Sequence, residues 1–312
     1  MNSRDVANGW LKRFAALRVD LDPSKGRAPH KALLLLAVLD LFEDGQLADG
    51  WVTLSADLVA RFQNFWPIVQ ERRANRGDIR MPFHALGTDR VWSVFDVDGR
   101  PSLARETSVR AKLPDDLLEL LGDAAFRAEL RRLLAVTYFP VSEQIALFAA
   151  LGFEEAVNSL GLDAQAQAEP IYRLARDTGR SARFKNQVVS GYRFTCALTG
   201  YRITTAEQLG IVEAAHIHAL ASSRNNDSDN GLALTPTAHA LFDLGLWSVT
   251  DELRILVKPE QDFLEETPAG GFSLRGYSGR PLHILTGVKL RPHPAHLAWH
   301  RRQHNFYGLG AG

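Results

Sequence analysis

Eight of the ten histidines follow position 200, and two of them, His216 and His239, lie on either side of an Asn-Gly pair, Asn230-Gly231. Those types in that order suit one reaction class. Hydrolysis of a phosphodiester needs a deprotonated water, and a neutral imidazole with its ordinary pKa of about 6.5 takes that proton at neutral pH. It also needs a cation at the scissile phosphate, to offset the developing negative charge and stabilise the departing oxygen. One histidine and one metal ion cover both tasks. Singly, each residue has a plainer explanation: a histidine on the surface or satisfied in the core, an Asn-Gly in an ordinary turn. The order and the apolar spacing between them carry the signal.

The elements that must position these groups can be read around them. Residues 192–200 predict a strand running into a turn, and 210–217 a second strand that ends on His216. A polar loop, 222–229, leads through Asn230-Gly231-Leu232-Ala233-Leu234 to a helix over 235–243 that carries His239. Strand, strand, loop with Asn, helix with His resembles the HNH nuclease family, the ββα-metal fold, over about residues 190–250. The stretches that carry the resemblance are Ala215-His216-Ile217, Asn230-Gly231 and His239-Ala240-Leu241-Phe242-Asp243. It implies that His216 is the general base, that His239 is a metal ligand on the helix, and that Asn230 fastens the intervening loop and keeps His216 oriented. The implied cofactor is a divalent cation, Mg²⁺ or Mn²⁺.

One position departs from the family pattern: Ala215 stands where most members carry an acidic metal ligand just before the base. Two replacements remain open. Glu213 is two residues earlier on the expected strand and so shares a face with position 215. Asp243 follows His239 by four residues, so both lie on one helix face without distortion, which favours it slightly. His218 is a candidate phosphate contact if the strand continues that far. Cys196 sits where many family members begin a zinc-binding pair, but it is the sole cysteine, so a small core residue and no structural zinc are expected.

Two further segments of the last half are distinctive. Residues 171–194 contain six Arg or Lys, among them Arg183 and Lys185, against the single acid Asp177. A solvated helix face and a row of phosphate contacts explain this equally well. Near the C-terminus, His296, His300 and His304 recur every four residues, which aligns them on one face of a helix started by Pro292 and Pro294. The flanking Arg301 and Arg302 favour an exposed or DNA-facing helix over a second metal site, with Leu297 and Phe306 packing inward.

The first half reads as mainly helical with short strands. Helices are expected over 6–17, over the apolar run 32–39 extended to Asp44-Gly45, over 54–66 and over 115–136, with a short strand at 90–95. Its stretches Gly26-Arg27-Ala28-Pro29-His30-Lys31, Met81-Pro82-Phe83-His84-Ala85-Leu86 and Tyr138-Phe139-Pro140 resemble the sulfur-binding domain of McrA-like modification-dependent restriction endonucleases, which recognise phosphorothioated DNA. The resemblance implies that His30 and Lys31 sit at the phosphorothioate, with Phe139 and Pro140 as apolar pocket wall and Tyr138 nearby. Sulfur is larger and less hydrated than oxygen, so a proline ring, an aromatic edge and the stem of a basic side chain suit it, while the basic head holds the charge. Lys31 stands where family members often carry Arg and lacks its planar fork. Arg72, Arg73, Arg76 and Arg80 are candidates to grip backbone or groove. The plain alternative is that His30-Lys31 caps a core helix and Phe139-Pro140 ends one.

The 312 residues, 46% hydrophobic and 23% charged, describe an ordinary globular α+β protein of two domains, expected at 1–167 (reader) and 168–312 (nuclease). One cysteine excludes an intrachain disulfide framework, and with no apolar signal core or membrane-length run the expected location is the cytoplasm. Lys plus Arg balance Asp plus Glu at 36 each, so local charge rather than net charge must recognise DNA. These features point to a metal-dependent, type IV restriction endonuclease acting on phosphorothioated double-stranded DNA. A homodimer is compatible, since two strands are cut most simply by two active sites. The alternatives are an HNH endonuclease that reads methylated cytosine or an unmodified sequence, and a DNA-binding regulator whose nuclease fold has lost its metal.

Overall fold

The computed structural model describes residues 3–73, 77–153, 169–203, 211–268, 270–284 and 290–306. The chain divides into two compact units, and the division falls between Arg183 and Phe184, within the helix Pro170–Gly191. The domain limit expected at 167/168 adjoins residues 154–168, which lie outside the described residues. No helix among the described residues is long and apolar enough to cross a membrane.

The first unit is built around α2 (His30–Glu43), whose residues Ala32 to Leu39 are all buried. A helix apolar on every side has to be covered on every side. Packed around it are α1 (Ser3–Ala15), α3 (Ala56–Asn64), α4 (Trp66–Val69), α5 (Arg80–Thr88), α6 (Asp115–Leu121), α7 (Ala124–Tyr138) and α8 (Val141–Ala150). The helix expected at 54–66 is α3, with α4 following it from Trp66, whereas the one expected at 115–136 is two, α6 and α7. In the second case the Asp123 carboxylate accepts from Ala125 N and starts a new helix. Pro140 ends α7 by holding Phe139 extended, at φ −127° and ψ 142°, and then opens α8. A hairpin of β1 (Leu21–Asp22) and β2 (Gly26–Arg27), and a three-stranded antiparallel sheet ordered β3 (Trp51–Thr53), β5 (Arg110–Lys112), β4 (Ser93–Phe95), complete the unit.

In the second unit β6 (Glu213–His216) and β7 (Gly231–Leu234) form an antiparallel pair in which His216 faces Gly231 and Glu213 faces Leu234. Between them lie α10 (Leu220–Ser223) and the polar loop; α9 is the helix Pro170–Gly191. Thr235 accepts from Ala238 N and Pro236 occupies the first turn of α11 (Pro236–Asp243). A second hairpin, β8 (Trp247–Val249) and β9 (Ile255–Val257), and α12 (Pro294–Gln303) cover the far side. The strand expected at 192–200 is absent. Arg193 and Phe194 are left-handed, at φ 48° and 58°, which breaks a ladder, and the partner of the His216 strand is instead the segment just after Asn230.

Tyr138 shows how the first unit is closed. Its hydroxyl donates to Phe14 O at 2.7 Å and accepts from Leu17 N at 2.9 Å, tying the end of α7 to the end of α1. Replacing Tyr138 by Phe strands both backbone groups in the core, and should lower stability by about 1–3 kcal/mol. A urea titration of the full chain, with the early transition followed separately, measures it.

Candidate functional site

The loop between β6 and β7 is fixed by one buried amide. Asn230 is fully buried; its Oδ1 accepts from His218 N at 2.8 Å, and its Nδ2 donates to His218 O and Asn225 O, both at 3.0 Å. That locks both edges of the backbone just beyond His216. Asn226, on the same loop, presents Oδ1 to His216 Nε2 at 3.0 Å. An amide oxygen can only accept, so Nε2 carries the proton and Nδ1 keeps its lone pair. The imidazole stacks on Phe184 of α9, with ring centroids 3.9 Å apart and planes at 9°. Burial against that ring lowers the His216 pKa, and His239 adds to the effect, while Asn226 and Asp243 oppose it.

Gly231 makes this stacking possible. A Cβ there would meet Val188 Cγ2 at 2.3 Å and the Phe184 ring at 3.0 Å. Only a residue without a side chain lets α9 close on β7 and put Phe184 under His216.

His239 stands on α11 between two carboxylates. Its Nδ1 meets Glu213 Oε2 at 3.1 Å and its Nε2 meets Asp243 Oδ2 at 3.5 Å. Ala215 is buried and pairs with Leu232, whereas Glu213 emerges at the strand's start. The two acids therefore address opposite nitrogens of one ring. Asp243 and His239 also act electrostatically on His216. No cluster of three or more His, Cys, Asp or Glu among the described residues is arranged to hold a metal ion. A hard cation that retains most of its water needs fewer protein ligands, and an imidazole nitrogen beside a carboxylate meets that need. The donor chemistry at Nε2 and Asp243 thus fits such an ion.

The C-terminal histidines separate. His300 is 2% exposed and stacks on Phe242 at 3.7 Å, so the helix face expected to be exposed is a core face at that position. Its Nδ1 accepts from Ser248 Oγ at 2.9 Å and its Nε2 donates to Phe242 O at 3.2 Å, near the end of α11. Burial pushes its pKa down to about 3. His304 lies beyond the last residue of α12 and against Gly245, where a Cβ would come within 2.1 Å of its ring. Leu297 and Phe306 are buried, as expected. His218 stacks on Trp299 at 4.0 Å, with His296 5.9 Å away. Cys196 is buried, with Thr235 Oγ1 at 3.8 Å and Thr235 N at 3.4 Å from its sulfur.

In the first unit several basic candidates turn out to hold the domain together. Lys31 Nζ pairs with Asp89 at 2.6 Å and donates to Arg18 O. Arg72 grips Glu143 with two nitrogens, at 2.6 and 2.8 Å, and the third donates to Lys25 O and Arg27 O, so it clamps the β1–β2 hairpin onto α8. Tyr138 is spent on the α1 contact described above, Phe139 is buried with Arg72 6.0 Å over its ring, and Pro140 is exposed. Arg80 opens α5, its N–H held by Asp78. Arg183 and Lys185 are exposed on α9, and Arg76 lies outside the described residues.

His30 and Arg73 are different. His30 lies 5.3 Å from Trp66, and Gly77 is so close that a Cβ would fall 2.3 Å from the imidazole. Among the described residues, His30 Nδ1, Trp66 Nε1 and Arg73 Nε are buried without a hydrogen-bond partner. Burial and the charges of Arg73 and Arg72 lower the His30 pKa, so the ring is neutral at physiological pH. Trp66 was not legible as a site residue, because a tryptophan in an apolar stretch reads as core.

Comparison with known families agrees with these arrangements. Residues 196–250 match the HNH endonuclease family model, and residues 7–156 match the model of the ScoMcrA-like DNA sulfur-binding domain. The chain thus joins a ScoMcrA-like DNA sulfur-binding domain to a C-terminal HNH endonuclease domain. Among solved structures it is similar to a modification dependent TagI restriction endonuclease, at 22% identity and a TM-score of 0.30, over 39% of this chain and 37% of that one. No curated protein matches it.

The buried His300 sets an acid limit on the second unit. Its folded pKa lies below the ordinary histidine value, so the unfolded chain binds more protons between about pH 6.5 and 3. Its contribution to stability is intact above pH 6.5 and is lost as pH falls through that window. Thermal melts should show the second unit weakening on acidification by at most about 1.4 kcal/mol per pH unit from this residue. His300→Phe, which retains the stack, should flatten that slope while costing stability at pH 7.

Proposed function

We propose that this chain is a modification-dependent restriction endonuclease: the N-terminal domain binds phosphorothioated duplex DNA and the C-terminal domain hydrolyses phosphodiester bonds with a divalent metal ion. The observation that carries the catalytic half is the His216–Asn226 contact beside His239 and Asp243. It leaves His216 Nδ1 as a neutral, oriented base within electrostatic reach of His239, which pairs with the Asp243 carboxylate.

His239 Nε2 and the Asp243 carboxylate would hold the cation, with Glu213 accepting at Nδ1 and fixing the tautomer and tilt of that ring. When bound, the ion supplies charge for the developing phosphorane and the leaving oxygen. His216 Nδ1 takes the proton of the attacking water, and Phe184 and Asn226 keep its plane and tautomer constant while it does so. Asn230 acts through the backbone: it holds the loop in one conformation so that the base arrives already aimed. The strand ends at His216, so His218 lies on the loop stacked on Trp299 and does not share the strand face on which its phosphate contact depended.

Support for the reading half is the set of three buried polar atoms around His30. The pocket so proposed would use Trp66 Nε1–H and Arg73 Nε–H as donors beside a neutral imidazole, and the Trp66 ring 5.3 Å from His30 would favour the less hydrated sulfur over oxygen. Lys31 and Arg72, held by Asp89 and Glu143, remain candidates for the phosphate charge beside it. The cytoplasm is the compartment in which such an enzyme meets invading DNA.

Replacing His216 by Ala should reduce cleavage in Mg²⁺ or Mn²⁺ by about 10²–10⁴-fold while DNA binding persists; wild-type cutting would remove it as the base. Because burial lowers its pKa, kcat/KM should hold its plateau to below pH 6.5 before the acid limb begins. For the reader, Trp66→Phe removes one donor from the pocket and keeps the ring. It should weaken binding to a sulfur-bearing duplex about tenfold and leave an unmodified duplex of the same sequence unaffected. Equal wild-type affinity for the two duplexes would defeat the sulfur assignment.

A further inference from the structure

The three-stranded sheet of the first unit has one face in the core and one outside. Val52, Ala111 and Val94 are aligned across β3, β5 and β4 and point inward, Val52 and Ala111 fully buried. By the two-residue alternation of strands, the other face carries Trp51, Lys112 and Ser93 in one row and Thr53, Arg110 and Phe95 in the next. These six comprise two aromatics, two cations and two hydroxyls, with no acid.

The groups are organised with respect to one another. Trp51 and Phe95 meet edge-on with centroids 5.3 Å apart, and Arg110 Cζ and Lys112 Nζ lie 5.9 and 5.6 Å from the Trp51 ring. Each cation thus holds its charged head over the Trp51 ring. Lys112 is steadied further by Asp49 O at 2.5 Å. The connection from β4 to β5 adds Val97 and Leu103, 81% and 95% exposed.

Two partner classes could cover such a face. A protein partner, including a second copy, favours an apolar centre from which charge is depleted. Here the cations are central: β5 is the middle strand and it supplies both. Central cations between hydroxyls and rings suit the polyanionic backbone of a duplex, with hydroxyls and backbone reaching phosphate oxygens and rings packing on sugars.

We propose that the outward face of the β3–β5–β4 sheet is a second, sequence-independent DNA contact, which grips the duplex backbone away from the modified step. It rests on the reading that this domain binds DNA, and it needs neither the pocket at His30 nor the preference for sulfur. Arg110 and Lys112 would each neutralise one phosphate, and Val97 and Leu103 would pack along a groove.

The test is the full-length R110Q/K112Q double variant, titrated by fluorescence anisotropy with a sulfur-bearing and an ordinary duplex across a salt series. Two lost phosphate contacts should reduce the slope of log K against log salt by about 1.8 and weaken both duplexes on the order of tenfold at low salt, with their ratio unchanged. Ser93→Asp, which adds a repulsive charge at an exposed position, should weaken both duplexes in parallel. An unchanged melting temperature shows that the fold is intact. Wild-type affinities and slope in both variants would overturn the proposal, as would a loss confined to the sulfur duplex. A shift of the variants from dimer to monomer in sedimentation, with DNA binding retained, would overturn it in favour of a second copy. If wild-type protein binds both duplexes equally but the variants lose both, the sulfur reading fails and this contact stands.

Discussion

The buried amide of Asn230 is the constraint on which the second unit's site depends. A side chain with no solvent exposure must satisfy its polar atoms inside the protein, and here the partners are backbone groups of His218 and Asn225. The loop therefore has one low-energy conformation. That conformation delivers Asn226 to His216, which in turn settles which ring nitrogen is protonated. A single hydrogen-bonding requirement thus propagates from a core residue to the tautomer of His216.

Around that loop, clearances decide as much as bonds. The absence of a side chain at Gly231 brings Phe184 beneath His216, and the absence of one at Gly245 makes room for His304 next to α11. On the other side of α11, His300 is neutral, donates to Phe242 O and stacks on the Phe242 ring, so the C-terminal helix braces the element that carries His239 and Asp243. Two imidazoles and two carboxylates on two short elements, β6 and α11, are held from both sides by apolar packing. That is how a hairpin and an eight-residue helix keep a site of fixed geometry.

The first unit uses charge differently. Lys31 with Asp89, Arg72 with Glu143, and Arg131 with Asp40 and Glu43 are pairs at or near the core, where each partner would be costly alone. Their work is to fix the hairpin, α2 and α8 in place. Among the described buried groups without a partner are His30 Nδ1, Trp66 Nε1 and Arg73 Nε, and the outward face of the sheet is cationic and aromatic. A domain of an electrically neutral chain can still offer DNA two chemically distinct surfaces, because the pairing of charges is local.

The sequence by itself determined the residue types and their order: His216, Asn230, His239, the apolar helix after His30, the α+β class, and the resemblance to the two families that the domain matches then identified. These are legible because period, capping and turn chemistry act over a few residues. Tertiary structure decided which strand pairs with the one ending at His216, since left-handed backbone at Arg193 and Phe194 excluded the expected one. It decided that His300 is a core group although it shares a spacing with His296. It also decided that Lys31, Arg72 and Tyr138 are spent on partners 58, 71 and more than 100 positions away. A spacing rule says which side chains share a face, but whether that face meets water, an ion or the core depends on segments distant in the chain. Only packing brings those together.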